Sequence, residues 1–330
     1  MNKILLMGLA LISMIYGKAT PSDYNLSPWH IAVNDKTEYT GISLSSGRIG
    51  MMPSDKPFKV ESVILNNVYE KESATGVSKL LKGINFANLI VIIDGDTVNE
   101  NTVSNWEQIL NLKEASLTTS FLFKDKAEIA YTIYALRSMP YTGIMDVTIR
   151  SLKMTDISVA GVISCPEEYK NPESTFRILK DNEIKMPLLQ TVAHSPFGKH
   201  TLATTSTFLF DHDFPVIDHV VKTPYQHQLK FNRKMPKGES YHFAWCGAVC
   251  TTGDFDDPVN ESERMTIFLM RGNKSKVIDK HKAMWEELWQ VDIEIEGDLM
   301  SQRDIRLALY HLYAFSRDDS GLSIAPMGLS

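Results

Sequence analysis

The feature of this sequence that most limits its fold is an apolar–polar alternation of period two, broken by turn residues, running from about residue 24 to residue 271. Successive strand side chains point to opposite faces of a sheet, so this pattern marks half-buried strands. Residues 127–137 show it most clearly, with Ala127, Ile129, Tyr131, Ile133 and Ala135 on one face and Glu128 and Thr132 on the other. Residues 142–150 repeat it through Ile144, Val147 and Ile149, with an interruption at Asp146. Between them Ser138-Met139-Pro140-Tyr141 makes a tight connection suited to an antiparallel pair. Further strands are predicted at 62–69, 88–94, 115–123, 157–165, 201–210, 226–231 and 265–270. Many short strands separated by Gly, Pro, Asn and Asp clusters predict a mainly β chain. The number of strands calls for a large β-sandwich of two stacked sheets rather than an immunoglobulin-sized unit.

The pattern changes near Lys274. Val277, His281, Trp285, Leu288 and Trp289 recur at helical spacing and predict an amphipathic helix of about four turns. A short acidic strand is expected at 291–296, followed by a helix whose N-terminus Asp298 caps. Ile305, Ala308, Leu309, Leu312 and Tyr313 form that helix's apolar stripe, which left exposed predicts a sticky surface. Residues 323–330 read as an extended apolar tail, and the chain reads as interrupted at Ser330.

The N-terminus has the form of a secretory signal: Lys3, an apolar run at 4–16, then Gly17-Lys18-Ala19 with cleavage expected after Ala19. Export to the periplasm or the medium follows as an expectation. The apolar run falls short of the about 20 residues of a membrane span, and no later segment is long and apolar enough for one, so no membrane association is expected after cleavage. A net charge of −6 and the lack of any Lys/Arg run longer than two leave no basic stripe for a nucleic acid. Of the 3 cysteines, Cys246 and Cys250 lie on one predicted strand. They are about 13 Å apart there, too far for a disulfide, which needs about 7 Å. All three read as small buried hydrophobes.

Chemistry-bearing motifs are sparse. Gly41 and Gly47 lack the Gly-Lys-Ser/Thr ending of a phosphate loop, and no nucleophile elbow, zinc-helix motif or Cys-x-x-Cys site occurs. His212-Asp213 and the run Asp254-Phe255-Asp256-Asp257 read as polar loops rather than metal sites, and no metal or cofactor is expected. Glu294 and Glu296 would stand about 7 Å apart on a strand, within the range of an inverting glycosidase pair. They read instead as a solvated edge. Trp29, Trp106 and Trp245 are the candidates for sugar stacking, with a core role favoured for each.

Several fragments together resemble one family. They are Trp285-Glu286-Glu287-Leu288-Trp289, the acidic stretch 292–298, Gln302, Arg306, Tyr310-His311-Leu312 and Ile324-Ala325-Pro326-Met327-Gly328-Leu329-Ser330. Earlier come Ser46-Gly47-Arg48-Ile49-Gly50, Pro57-Phe58 and Leu136-Arg137-Ser138-Met139-Pro140-Tyr141. This set resembles glycoside hydrolase family 65, which holds maltose, trehalose and kojibiose phosphorylases and α-glucosidases. The resemblance implies an N-terminal β-sandwich, linker helices and an (α/α)6 catalytic barrel. On this chain it divides as a signal peptide at 1–19, the sandwich at 20–273, the helical linker at 274–298 and the truncated start of the barrel at 299–330. It further implies that the catalytic acid lies past Ser330, so no catalytic residue is assigned in this chain. The implied function is that of the N-terminal part of an exported, inverting α-glucoside hydrolase. A disaccharide phosphorylase using inorganic phosphate as co-substrate is the first alternative, and a non-catalytic carbohydrate-binding or scaffold module the second. The carbohydrate would be met through the barrel, and the chain's residues support that barrel or help assemble a homodimer. Arg306 and His311 are the two residues that approach the sugar pocket on this reading, the other being that they tie the linker to the sandwich.

Overall fold

The computed structural model describes residues 27–318 apart from 38, 72, 74, 182, 183, 212 and 213. The expected signal segment, His212-Asp213 and the 323–330 tail lie outside the described residues.

Strands are numbered in chain order. A nine-stranded antiparallel sheet runs β1 (His30–Val33), β8 (Val103–Asn111), β9 (Ser116–Phe123), β10 (Ala127–Ala135), β11 (Thr142–Ser151), β18 (Ser240–Thr251), β15 (Thr201–Phe210), β14 (Ile184–His194) and β13 (Lys170–Asp181). A five-stranded sheet runs β16 (Asp218–Thr223), β17 (Gln226–Met235), β12 (Thr155–Ser164), β6 (Asn85–Ile93) and β7 (Asp96–Thr97). A four-stranded sheet holds β2 (Leu44–Ser45), β3 (Ile49–Pro53), β4 (Val60–Lys71) and β5 (Ser78–Lys82). The mainly β sandwich expected from the alternation is present, with a third small sheet added.

The β10–β11 hairpin has the expected register, from Ala127 opposite Ser151 to Ala135 opposite Gly143. Its turn is closed by Thr142 N–H donating to Met139 O at 2.9 Å. Asp146 keeps the alternation, half-buried between Met145 and Val147, and its carboxylate receives Lys274 Nζ at 2.7 Å, tying the strand to the first residue of a helix. The departure from the pattern is Ile144, which is buried on the opposite face with Val277 and Ile278. Between the sheets the largest spacer is Trp245 on β18, 1% exposed, whose indole N–H donates to Phe86 O. Its ring lies where a side chain at Gly161 of β12 would begin, so glycine there sets how closely the sheets approach. Trp106 is also buried, while Trp29 is half-buried. Cys165, Cys246 and Cys250 are free and buried, as expected.

Three helices follow: α1 (Pro258–Arg271), α2 (Lys274–Leu288) and α3 (Leu299–Phe315). The first replaces the strand expected at 265–270. Asp257 caps it by accepting from Asn260 N–H at 3.0 Å, and Pro258 opens it. Its buried positions include Ser262, Thr266 and Leu269, so two of the core-facing residues are polar and the helical stripe is hard to read. Thr266 Oγ1 donates to Thr205 O of β15 at 3.0 Å, which satisfies it against the sheet. In α2, Val277, His281 and Trp285 are buried on the expected face.

The acidic strand expected at 291–296 does not form; the segment is irregular. Its backbone is paired instead with a helix side chain: Gln302 Oε1 accepts from Ile295 N–H at 2.6 Å and Gln302 Nε2 donates to Ile293 O at 2.9 Å. The side of α3 that is buried is Gln302, Arg306, Tyr310 and Ala314, not the Ile305–Leu309–Leu312 stripe. Ile305 and Leu309 are half-buried, and Ala308 and Leu312 are exposed. The stripe was misplaced because two of the four buried positions carry strongly polar side chains with dedicated partners.

Candidate functional site: the sandwich–helix junction

The chemistry-bearing residues singled out from the sequence converge where α2, α3 and the segment between them meet the sandwich. Asp298 caps α3, accepting from Met300 N–H at 3.0 Å and Ser301 N–H at 3.2 Å, as its position before a helical run requires. Three turns of α3 then face inward. Arg306 donates from Nε at 3.0 Å and from Nη2 at 2.5 Å to one oxygen of Asp292, with both side chains largely buried. The same guanidinium lies 3.7 Å over the ring of Trp29. Trp29 meets Trp289 edge to face at 4.9 Å, and Trp289 meets Tyr313 at 5.2 Å. The indole of Trp289 donates to Leu112 O at 3.1 Å, which joins this aromatic column to the nine-stranded sheet's side of the junction.

Deeper in, Tyr310 is fully buried, stacked on Trp285 at 5.4 Å, and donates to Ser43 O at 2.9 Å. Burial drives its phenol far above the ordinary range. The C-terminal end of α3 is held by Arg137, 5% exposed, which donates to Tyr313 O at 2.8 Å and Ser316 O at 3.2 Å. A cation at the last carbonyls also suits the helix dipole. Arg317 returns the contact, donating to Arg137 O at 2.8 Å and Ser46 O at 3.2 Å. Its stem fills the space beside Gly47, whose φ of +83° and missing side chain make that approach fit.

His281 of α2 links the same turn to the sheet. Its Nδ1 accepts from Arg137 N–H at 3.0 Å, which leaves Nε2 as the donor to Glu114 O at 2.9 Å. Complete burial pushes its pKa down to about 4, against the opposing pull of the Glu114 and Ala115 carbonyls, so it is a neutral imidazole of fixed tautomer.

Two open clefts flank Arg306. One of about 710 Å³ is lined by Trp29, Lys113, Glu286, Gln290, Asp292 and Glu294. The other, about 500 Å³, is lined by Glu294, Glu296, Asp298 and Gln302. Glu294 and Glu296 are exposed on the rim of an irregular segment, so the strand spacing expected for them does not apply. His311 is half-buried between the rings of Tyr310 and Phe315, with Nδ1 enclosed and unpartnered. Burial lowers its pKa. It sits five positions from Arg306, about 140° around the helix, so the two residues do not share a cleft. Among the described residues no group of three or more His, Cys, Asp or Glu is placed to hold a metal ion. Within the run 254–257, Asp254 is instead half-buried and pairs with Arg48 at 3.3 Å, while Asp257 caps α1.

In the sequence Arg137 stands out only as part of the family resemblance and His281 only as a residue of an apolar helix face. A lone basic residue inside an otherwise apolar strand end was the available signal for Arg137. Its partners, 176 and 179 positions away, could not be seen locally.

Comparison with known proteins sets these features in a lineage. A kojibiose hydrolase from Flavobacterium johnsoniae is 35% identical over 312 residues, covering 93% of this chain and 46% of that protein. Another from Mucilaginibacter mallensis is 33% identical over 92% of this chain and 46% of its own length. The chain thus spans about half the length of the curated relatives it matches. Among solved structures, a putative kojibiose phosphorylase from the human microbiome superposes with a TM-score of 0.71 over 87% of this chain and 42% of that one. At 13% identity that match shows a shared fold. A model of the glycosyl hydrolase family 65 N-terminal domain matches residues 42–288, and the chain therefore belongs to that family.

Proposed function

We propose that this chain is the N-terminal sandwich and linker of an exported, inverting hydrolase of α-linked glucose disaccharides, with the general acid and sugar-binding residues outside its 330 residues. The observation that carries the reading is the match to two kojibiose hydrolases along 93% and 92% of this chain but only 46% of theirs. The junction supports it physically. Arg137 and Tyr310 spend their polar groups on fixing α3 to the sandwich, and Arg306 and Gln302 spend theirs on fixing it to the linker, which is the work of a platform for a larger body. On this reading Arg306 ties the linker to the helix rather than binding sugar, and His311 packs between Tyr310 and Phe315.

In the whole enzyme a carboxylic acid protonates the glycosidic oxygen while a second carboxylate activates water on the opposite face of the sugar ring. A phosphorylase replaces that water with inorganic phosphate. The test is glucose release from a panel of α-linked glucose disaccharides, kojibiose included, by a longer chain that supplies the remainder of the relatives' length. Phosphate-independent release supports the hydrolase. Strict phosphate dependence makes it a phosphorylase, and sugar binding without cleavage makes it a carbohydrate-binding module.

A further inference from the structure

The ring of Phe176 on β13, an edge of the nine-stranded sheet, packs on His219 of β16, an edge of the five-stranded sheet, with centroids 5.2 Å apart and planes at 25°. His219 Nε2 then meets His227 Nδ1 of β17 at 3.5 Å, with centroids 5.7 Å apart and planes within 15°. That centroid separation is close to the largest a 3.5 Å nitrogen contact permits. The two imidazoles therefore lie edge to edge, nearly in one plane, with the two nitrogens pointing at each other. They are diagonal neighbours on one face, since His219 pairs with Leu229 and Val221 with His227. His227 is 6% exposed and His219 is half-buried.

We propose that Phe176, His219 and His227 form a proton-controlled clasp between the two sheet edges, which a first proton tightens and a second opens. Two neutral rings make one N–H···N bond. Adding one proton converts it to a charge-assisted bond, which is stronger, and the face of Phe176 accommodates a cation on His219. Adding a second leaves two donors and no acceptor facing each other, with like charges in contact.

The surroundings offer nothing to absorb that second charge. Burial lowers the pKa of both rings, His219 lowers that of His227 further, and the Pro224 carbonyl acts the other way on His227. No carboxylate is among the charges acting on either ring. Asp218 and Lys230, paired across β16 and β17, stand an odd number of positions from the histidines and so face the other side. Lys222 of β16 is exposed. From β13, Arg177 turns outward to Glu263 of α1. Lys180 and Lys185, paired on β13 and β14, lie four positions beyond the Phe176–Leu189 pair, roughly 13 Å away. β12 places Ile163 opposite His227, and Cys165 two positions on is held neutral by burial, its pKa pushed up to about 12. The repulsion therefore falls on β16, which pairs in its sheet with β17 alone.

The test uses the 330-residue chain with ¹⁵N-labelled histidine, titrated downward from about pH 7.5 through the range in which histidine charges. His219 and His227 are expected to titrate in two steps separated by more than about one pH unit. Hydrogen exchange in 218–223 and 170–181, corrected for its intrinsic pH dependence, is expected to accelerate about tenfold or more with the second step. His219→Gln keeps an uncharged donor beside His227 and should hold the edges closed to lower pH. Independent titration of the two rings overturns the clasp, as does exchange that ignores the second step. Opening of the Gln variant at the wild-type pH also overturns it. Should that variant not fold, the two wild-type measurements decide.

Discussion

The guanidinium of Arg306 lies 3.7 Å over the ring of Trp29 while two of its N–H groups donate to one carboxylate oxygen of Asp292. One side chain thus joins the first described segment of the chain, the irregular linker and α3. Removing it leaves Asp292, with a side chain only 15% exposed, without its counter-charge. Arg306→Met is expected to destabilise the chain by about 3 kcal/mol, read from urea unfolding. Arg306→Lys keeps the charge but not the flat stacking face and should lose about 1 kcal/mol. Equal losses from the two variants would show that the stacking on Trp29, not the pairing, carries the contact.

Arg137 holds the last carbonyls of α3, and its loss leaves Tyr313 O and Ser316 O unpaired. Arg137→Met is expected to cost about 2 kcal/mol and to raise hydrogen exchange in 310–317 while sparing the β10–β11 hairpin. Uniformly faster exchange would mean that Arg137 supports the sandwich as a whole.

His281 makes stability pH-dependent in a defined direction. Its pKa falls from an ordinary 6.5 to about 4 on folding, because burial penalises the charged ring. The neutral native form is therefore fully favoured above about pH 6.5, and its contribution is lost as pH falls through about 4. The amount at stake is about 3 kcal/mol. Urea midpoints taken across this range should fall, and His281→Gln should flatten the part of the slope that this residue supplies.

Gly161 faces the indole of Trp245, and any side chain there overlaps the ring. Gly161→Ala should destabilise by about 2 kcal/mol or more. Trp245→Phe in the same chain should recover part of that loss if the overlap is its cause, whereas additive losses would place the cause elsewhere.

The three thiols should behave as buried hydrophobes. Burial pushes all of them up, Cys165 to about 12 and the other two further. A thiol reagent at neutral pH should find none rapidly reactive in the folded chain and 3 after denaturation. Fast reaction of any one in the native state would contradict its burial.

The strands were legible because one sheet face is buried along most of their length. Ile129, Tyr131 and Ile133 at 1–2% exposure produce the alternation directly. The elements that were misread share a physical cause. In α1 and α3 the core-facing positions include Thr266, Gln302 and Arg306, whose burial depends on partners far away in sequence. An apolar pattern cannot report such a face. The segment expected as a strand at 291–296 fails for the same reason, its backbone groups being taken by Gln302. The cap at Asp298 was legible because capping is local. The hold that Arg137 has on α3 was not, because it spans more than half the chain.

The central claim is that the groups performing the cleavage lie outside these 330 residues. The most direct test incubates the purified 330-residue chain with kojibiose and measures glucose release with and without inorganic phosphate. The account predicts release no faster than in the protein-free control under either condition. Glucose release above that control, abolished by Glu294→Gln or Glu296→Gln, would contradict it and place the chemistry in the open cleft beside Arg306.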